Sequence, residues 1–211
     1  MAALADRLEA ALSARARRVF PPLQLGRAAV LIPLLQRPPG PTLLFTRRTE
    51  TISHPGQVSF PGGRLEGGED APAAALREAE EEVGLNPGRV RVLGLLDDRL
   101  SINRLHVTPV VGWVEAPPER FVGNAREVTE PFEVGLEWLR NPAHVRVETR
   151  SAEGLPPGWT EAEMARLGPY FREVDAGGTT FSMPRYEGER GQVIWGLTAV
   201  ILRQLLDESL R

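Results

Sequence analysis

The chain has 211 residues, enough for one well-buried domain, with 42% hydrophobic and 25% charged residues and a net charge of −3. That balance lacks the basic excess of a nucleic-acid footprint, although every Lys/Arg-type charge is supplied by Arg. Cysteine is absent, which excludes disulfides, thiolate chemistry and Cys-bound zinc.

Residues 3–18 are predicted as an amphipathic helix, with Leu4, Leu8, Ala11 and Leu12 on one side and Pro21-Pro22 beyond its end. Residues 1–22 are read as an N-terminal appendage to a single domain spanning 1–211. They lack the apolar stretch and cleavage site of a secretion signal. Arg15, Arg17 and Arg18 fit a transit peptide, but Asp6 and Glu9 do not, so a cytoplasmic protein is expected. Two apolar strands follow, at 27–36 and 42–46, separated by the turn Pro38-Pro39-Gly40-Pro41. The longest apolar run, 28–35, is too short to cross a bilayer, and no membrane association is expected.

A short strand at 57–60 runs into Pro61-Gly62-Gly63. The next helix starts near Asp70, an N-cap, with Pro72 in its first turn and Gly84 as its stop. Ala75, Leu76, Ala79 and Val83 form its buried stripe. Strands are expected at 90–96, 106–114 and 132–134, then a short helix at 136–140. Residues 150–169 read as a loop-rich insertion with one or two helical turns at 161–167. A hairpin is expected from 170–175 and 179–183, and a final helix over 193–206. This mixed order predicts helices packed on a mixed sheet.

The helix after Asp70 carries Glu78, Glu80, Glu81 and Glu82 in its second half. Glu78, Glu81 and Glu82 share a face, where like charges cost about 0.2–0.5 kcal/mol per pair. They also meet the negative end of the helix dipole. A solvated acidic face is the ordinary reading of such a run. A hard divalent cation removes both penalties, because carboxylate oxygens are the ligands Mg²⁺ and Mn²⁺ prefer.

The register favours the cation. Gly63, Glu69, Arg77, Glu78, Glu81, Glu82, Gly84 and Leu85 fit the pattern G-x5-E-x7-R-E-U-x-E-E-x-G-U, with U a bulky or aliphatic residue and Ala79 at the first U. This resembles the Nudix box, the signature of the Nudix hydrolase superfamily. The resemblance implies an α/β/α sandwich and Mg²⁺- or Mn²⁺-dependent hydrolysis of a small nucleoside diphosphate derivative. It also implies that Glu78 and Glu82 bind metal, with Glu81 and the Gly62 carbonyl as further ligands. Arg77 and Glu69 would orient the carboxylates. Glu69 and Arg77 serve equally well as a plain helix–loop salt bridge. The general base stays open among Glu82, Glu81, Glu66, His54 and His106.

The preceding residues 43–63 are similar to the segment ahead of the box in coenzyme A pyrophosphatases, a Nudix subfamily with the pattern L-L-T-x-R-[SA]-x3-R-x3-G-x3-F-P-G-G. Gly56 and Phe60-Pro61-Gly62-Gly63 fit; Arg47 or Arg48 stands for the first arginine, and Ile52 replaces the second. The residues 107–112 and 194–199 resemble the subfamily's strand after the box and its C-terminal helix. The resemblance implies that Arg47, Arg48, Gly56 and Phe60 contact a coenzyme A substrate. Alternatives are a broader hydrolase of (d)NTPs, ADP-ribose or dinucleoside polyphosphates, a nucleotide-sensing regulator without turnover, and an RNA-decapping enzyme. Oligomeric state is not legible.

Overall fold

A computed structural model describes residues 2–20, 25–49, 56–101, 103–124, 128–151, 173–174, 178–188 and 191–209. In chain order its strands are β1 Arg27–Leu35, β2 Thr42–Arg48, β3 Val58–Ser59, β4 Gly62–Arg64, β5 Val90–Leu95, β6 Arg99–Leu100, β7 His106–Val114, β8 Val128–Gly135, β9 Val145–Ser151, β10 Glu173–Val174, β11 Gly178–Glu187 and β12 Val193–Ile194. The helices are α1 Ala2–Ala14, α2 Ala71–Val83, α3 Leu136–Arg140 and α4 Gly196–Gln204.

The apolar run in β1 is buried on both faces from Leu31 to Leu35, as a central strand requires. One edge of β1 pairs in parallel with β7, from Arg27 opposite His106 to Leu35 opposite Val114. Its other edge is divided. Leu34 and Leu35 pair with β2, whereas Ala28, Ala29 and Val30 pair with Arg64, Gly63 and Gly62 of β4. The larger sheet runs β3-β2-β1-β7-β5, with β4 beside β1, β6 beside β7 and β8 beside β2. Parallel and antiparallel pairs therefore coexist, giving the expected mixed sheet.

Each face of that sheet carries helices. On one side α2 packs Ala71, Ala74, Ala75, Ala79 and Val83 against Ala29, Leu31, Leu44, Val110 and Val114. Alanine side chains let helix and sheet backbones approach closely, which brings the next face of α2 down onto β4. On the other side α1 and α4 cover Ile32, Leu34, Phe45, Val111 and Trp113. The architecture is the predicted α/β/α sandwich.

Several elements differ from expectation. The first helix ends at Ala14 rather than 18, because Arg15 and Arg17 turn inward to ion pairs with Asp97 and Asp98. Beyond them the backbone N–H groups of Arg18 and Phe20 donate to the same two carboxylates, each at 3.0 Å. The segment read as an appendage thus supplies Ala5, Leu8 and Leu12 to the core. β8 extends well before residue 132 because it pairs along β2. The hairpin appears as β10 and β11, with Val174 opposite Gly178. β11 continues to pair with β9 in a second sheet that local patterning does not reveal. The final helix begins at Gly196, since Val193 and Ile194 pair with β11. The predicted turns at 161–167 lie outside the described residues. No helix among the described residues is long and apolar enough to cross a membrane.

Candidate active site

The acids are positioned by the two ends of α2. At its start the Asp70 side chain accepts from Ala73 N at 2.9 Å. At its end Gly84 N donates to Glu80 O at 2.9 Å and Leu85 N to Ala79 O at 3.2 Å. These are the capping bonds the sequence predicts. Asn124 N, from a distant loop, donates to Glu82 O at 2.8 Å and holds the last turn.

With the helix fixed, Glu78 and Glu82 reach the β4 backbone. Gly62 N donates to Glu82 Oε2 at 3.2 Å, and Glu82 is only 8% exposed. The Glu78 carboxylate lies directly over Gly63: a Cβ added there would sit 2.2 Å from Glu78 Oε1. Gly63 is therefore required by the acid above it. Glu81 stands at the solvent rim, with its side chain 56% exposed.

Arg77 occupies the middle of these groups. It donates to Glu69 Oε1 at 2.8 Å and Oε2 at 3.3 Å, to Glu78 Oε1 at 3.1 Å, to Glu81 Oε2 at 3.1 Å and to the Arg64 carbonyl at 3.0 Å. Glu69 also accepts from Glu66 N at 2.8 Å. The Arg77 hydrogen bond, helped by that backbone donor, holds the Glu69 carboxyl below its ordinary range. Glu69 in turn holds Arg77 more firmly protonated than usual.

The donor chemistry suits a hard cation: three carboxylates within one helical segment, beside a glycine backbone that admits close approach. Among the described residues, no three acidic or histidine side chains converge tightly enough to hold one in their present rotamers. Arg77 draws Glu78 and Glu81 to itself, and a cation would compete with it for them.

The other predicted site residues disperse. Arg47 pairs across to Val58 on one side and Glu130 on the other, beside an irregularity in register before Arg48. Its Nε is buried with no hydrogen-bond partner among the described residues. Arg48 stands opposite Val128. Gly56 is exposed at the turn before β3. Phe60 is turned into the core. It is 3% exposed and stacks on Phe45 at 4.9 Å, so it anchors Pro61 and Gly62 from within the core. His106 Nε2 lies 2.8 Å from Asp98 Oδ2 with the Phe20 ring beside it, and Glu66 is exposed. His54 and Ile52 lie outside the described residues.

Sequence reasoning missed the buried pair Asp97 and Asp98; its only local signal is two acids ending an apolar strand. Clefts of about 910 Å³, between α1 and α3, and about 260 Å³, between α3 and α4, contain none of the α2 acids. Donor chemistry, not concavity, marks the site.

Residues 25–151 match the family model described as NUDIX domain. The chain belongs to the Nudix family. It is 39% identical over 184 residues to an uncharacterized Nudix hydrolase, NudL, of Yersinia pestis (strain Pestoides F), covering 86% of this chain and 79% of the relative. The same figures relate it to NudL of Yersinia pseudotuberculosis serotype O:1b (strain IP 31758). Among solved structures, a MutT/nudix family protein from Enterococcus faecalis shares the fold, with a TM-score of 0.51 at 13% identity over 89% of this chain and 65% of that one. As a Nudix hydrolase the protein is an enzyme of a family that acts on small nucleotide-containing substrates. Nudix hydrolases generally use divalent ions such as Mg²⁺ or Mn²⁺.

Proposed function

We propose that this Nudix hydrolase cleaves the pyrophosphate bond of coenzyme A or a CoA derivative, yielding adenosine 3′,5′-bisphosphate and 4′-phosphopantetheine or its acyl form. The reading rests on one observation above all: Glu78 and Glu82 lie against the Gly62-Gly63 backbone, directly after the run Gly56 to Phe60-Pro61 that resembles the CoA subfamily. Glu78 and Glu82 would hold Mg²⁺ or Mn²⁺, with Glu81 and the Gly62 carbonyl completing the set. Held there, such an ion would neutralise non-bridging phosphate oxygens and lower the pKa of an attacking water. Arg77, braced by Glu69, orients Glu78 and Glu81 and would give them up to such an ion. Arg47 and Arg48 provide the positive charge for the substrate phosphates, and the turn at Gly56 admits the substrate backbone. Phe60 acts only through the position of Pro61 and Gly62. A cytoplasmic location belongs to the same proposal.

Ile52, in place of the subfamily's second arginine, favours a second reading as a broader hydrolase of (d)NTPs, ADP-ribose or dinucleoside polyphosphates. A sensor without turnover is disfavoured, because every box glutamate is present.

Turnover with Mg²⁺ of CoA, ADP-ribose, diadenosine polyphosphates and NTPs tests the proposal. CoA is expected to give the highest kcat/KM, and Glu82→Gln is expected to abolish turnover at saturating Mg²⁺. CoA as the worst substrate by a large factor overturns the CoA assignment. Undiminished hydrolysis by Glu82→Gln overturns the metal site.

A further inference from the structure

The family match ends at residue 151, yet β12 and α4, beyond it, reach the strand that leads into the site. The Thr198 hydroxyl, in the first turn of α4, donates to the carbonyl of Val58 at 3.1 Å, and Thr198 is 7% exposed. Gly196, with φ of 66°, begins α4 close to the Gln57 side chain: a Cβ there would lie 3.4 Å from Gln57 Nε2. Ile194, Ala199, Ile201 and Leu202 share one apolar cluster with Val58, Phe60 and Phe45.

β3 needs this support. It has two residues and pairs with β2 only through Thr46 opposite Ser59 and Arg47 opposite Val58. Without α4 its outer edge would carry an unpaired carbonyl. The next segment is anchored elsewhere: Pro61 O accepts from Leu31 N at 2.8 Å, and Gly62 is held by β1 and Glu82. Thr198 therefore bonds to Val58, the strand partner of Arg47. It does not govern the placement of the box acids.

We infer that Thr198 is a positioning residue for substrate binding, acting through the Val58 carbonyl and the paired Arg47. The inference rests on the proposed pyrophosphate site and on the substrate contact proposed for Arg47. It predicts a split effect, in which binding weakens and the chemical step does not.

The test compares Thr198→Val, which keeps the shape and removes the hydroxyl, with Thr198→Ser, which keeps the hydroxyl. On the best substrate of the Mg²⁺ panel, Thr198→Val is expected to raise KM about five- to tenfold with kcat within about twofold. Hydrogen exchange in a 57–60 peptide should rise about tenfold in the Val variant, while a 62–64 peptide is unchanged. Thr198→Ser should match the parent in both. Unchanged KM in the Val variant, a fall in kcat at constant KM, or a Ser variant as impaired as Val each overturns the inference while parental activity leaves the functional reading standing. A parent inactive on the whole panel removes the functional reading and this one together.

Discussion

Placing a single methyl at Gly63 would separate the chemistry of the site from the stability of the fold. The backbone of Gly63 lies outside the left-handed region, so alanine introduces no conformational penalty of that kind. The added Cβ would stand 2.2 Å from Glu78 Oε1 and 2.4 Å from its Cδ, so the carboxylate must retreat until it reaches ordinary contact near 3.4 Å. The obstructing atoms belong to the far end of a flexible side chain, which can swing away at little cost to folding. A displacement of about 1 Å at a group that orients reactants costs about 100-fold in rate. That is about 2.7 kcal/mol of transition-state stabilisation. Gly63→Ala is therefore expected to lose about 100-fold in kcat/KM in a Mg²⁺-dependent hydrolysis assay, with Tm within about 3 °C of the parent. Gly62→Ala supplies the contrast. Its Cβ would meet Ala29 O at 2.3 Å and Val30 Cα at 2.6 Å, both backbone atoms, so the protein should lose stability outright. If Gly63→Ala retained activity within threefold of the parent, the position of Glu78 over Gly63 would not be the functional one.

Three further perturbations probe the groups around this centre. Arg77→Lys removes the fork that bridges Glu69, Glu78 and Glu81, and should lower kcat/KM by about 10–100-fold in steady-state assays; near-parental turnover would reduce Arg77 to a surface ion pair. Glu69 has a depressed carboxyl pKa in the folded protein, so its contribution to stability is present above its ordinary value near 4.5 and is lost as pH falls through the folded value. The Tm gap between the parent and Glu69→Gln should accordingly be open at pH 7 and close on acidification below pH 4.5, and a gap constant over that range would refute the linkage. Asp98→Ala removes a carboxylate whose side chain is 1% exposed and which accepts from Arg17, Phe20 N and Thr108. Loss of roughly 3 kcal/mol is expected from denaturant titration, and an unshifted midpoint would show that the N-terminal segment is not anchored there.

The box helix was legible because its signals are local. Asp70, Pro72 and Gly84 state where α2 starts and stops, and the alanine stripe states which face is buried, so the glutamate register follows from 3.6-residue periodicity alone. The same locality made β1, β5, β7 and α3 readable from apolar runs and turns. Phe60 shows where local reading stops. Its motif places it beside a ligand, but only the packing of β2 against β3 shows that its ring belongs to Phe45.

By itself, the amino-acid sequence determined the acids, their spacing, the caps around them and hence the kind of ligand they suit. Tertiary structure decided what those acids touch: that Arg77 holds two of them, that Gly62 and Gly63 lie beneath the other contacts, and that Thr198 reaches Val58 across 140 residues of chain. It also decided that the basic tail of α1 is drawn to Asp97 and Asp98 rather than left as a helical appendage. The physical reason is the range of the forces. Backbone periodicity and capping act within a turn or two of chain, whereas the burial of a charge or a carbonyl is settled only when distant segments arrive to pair with it.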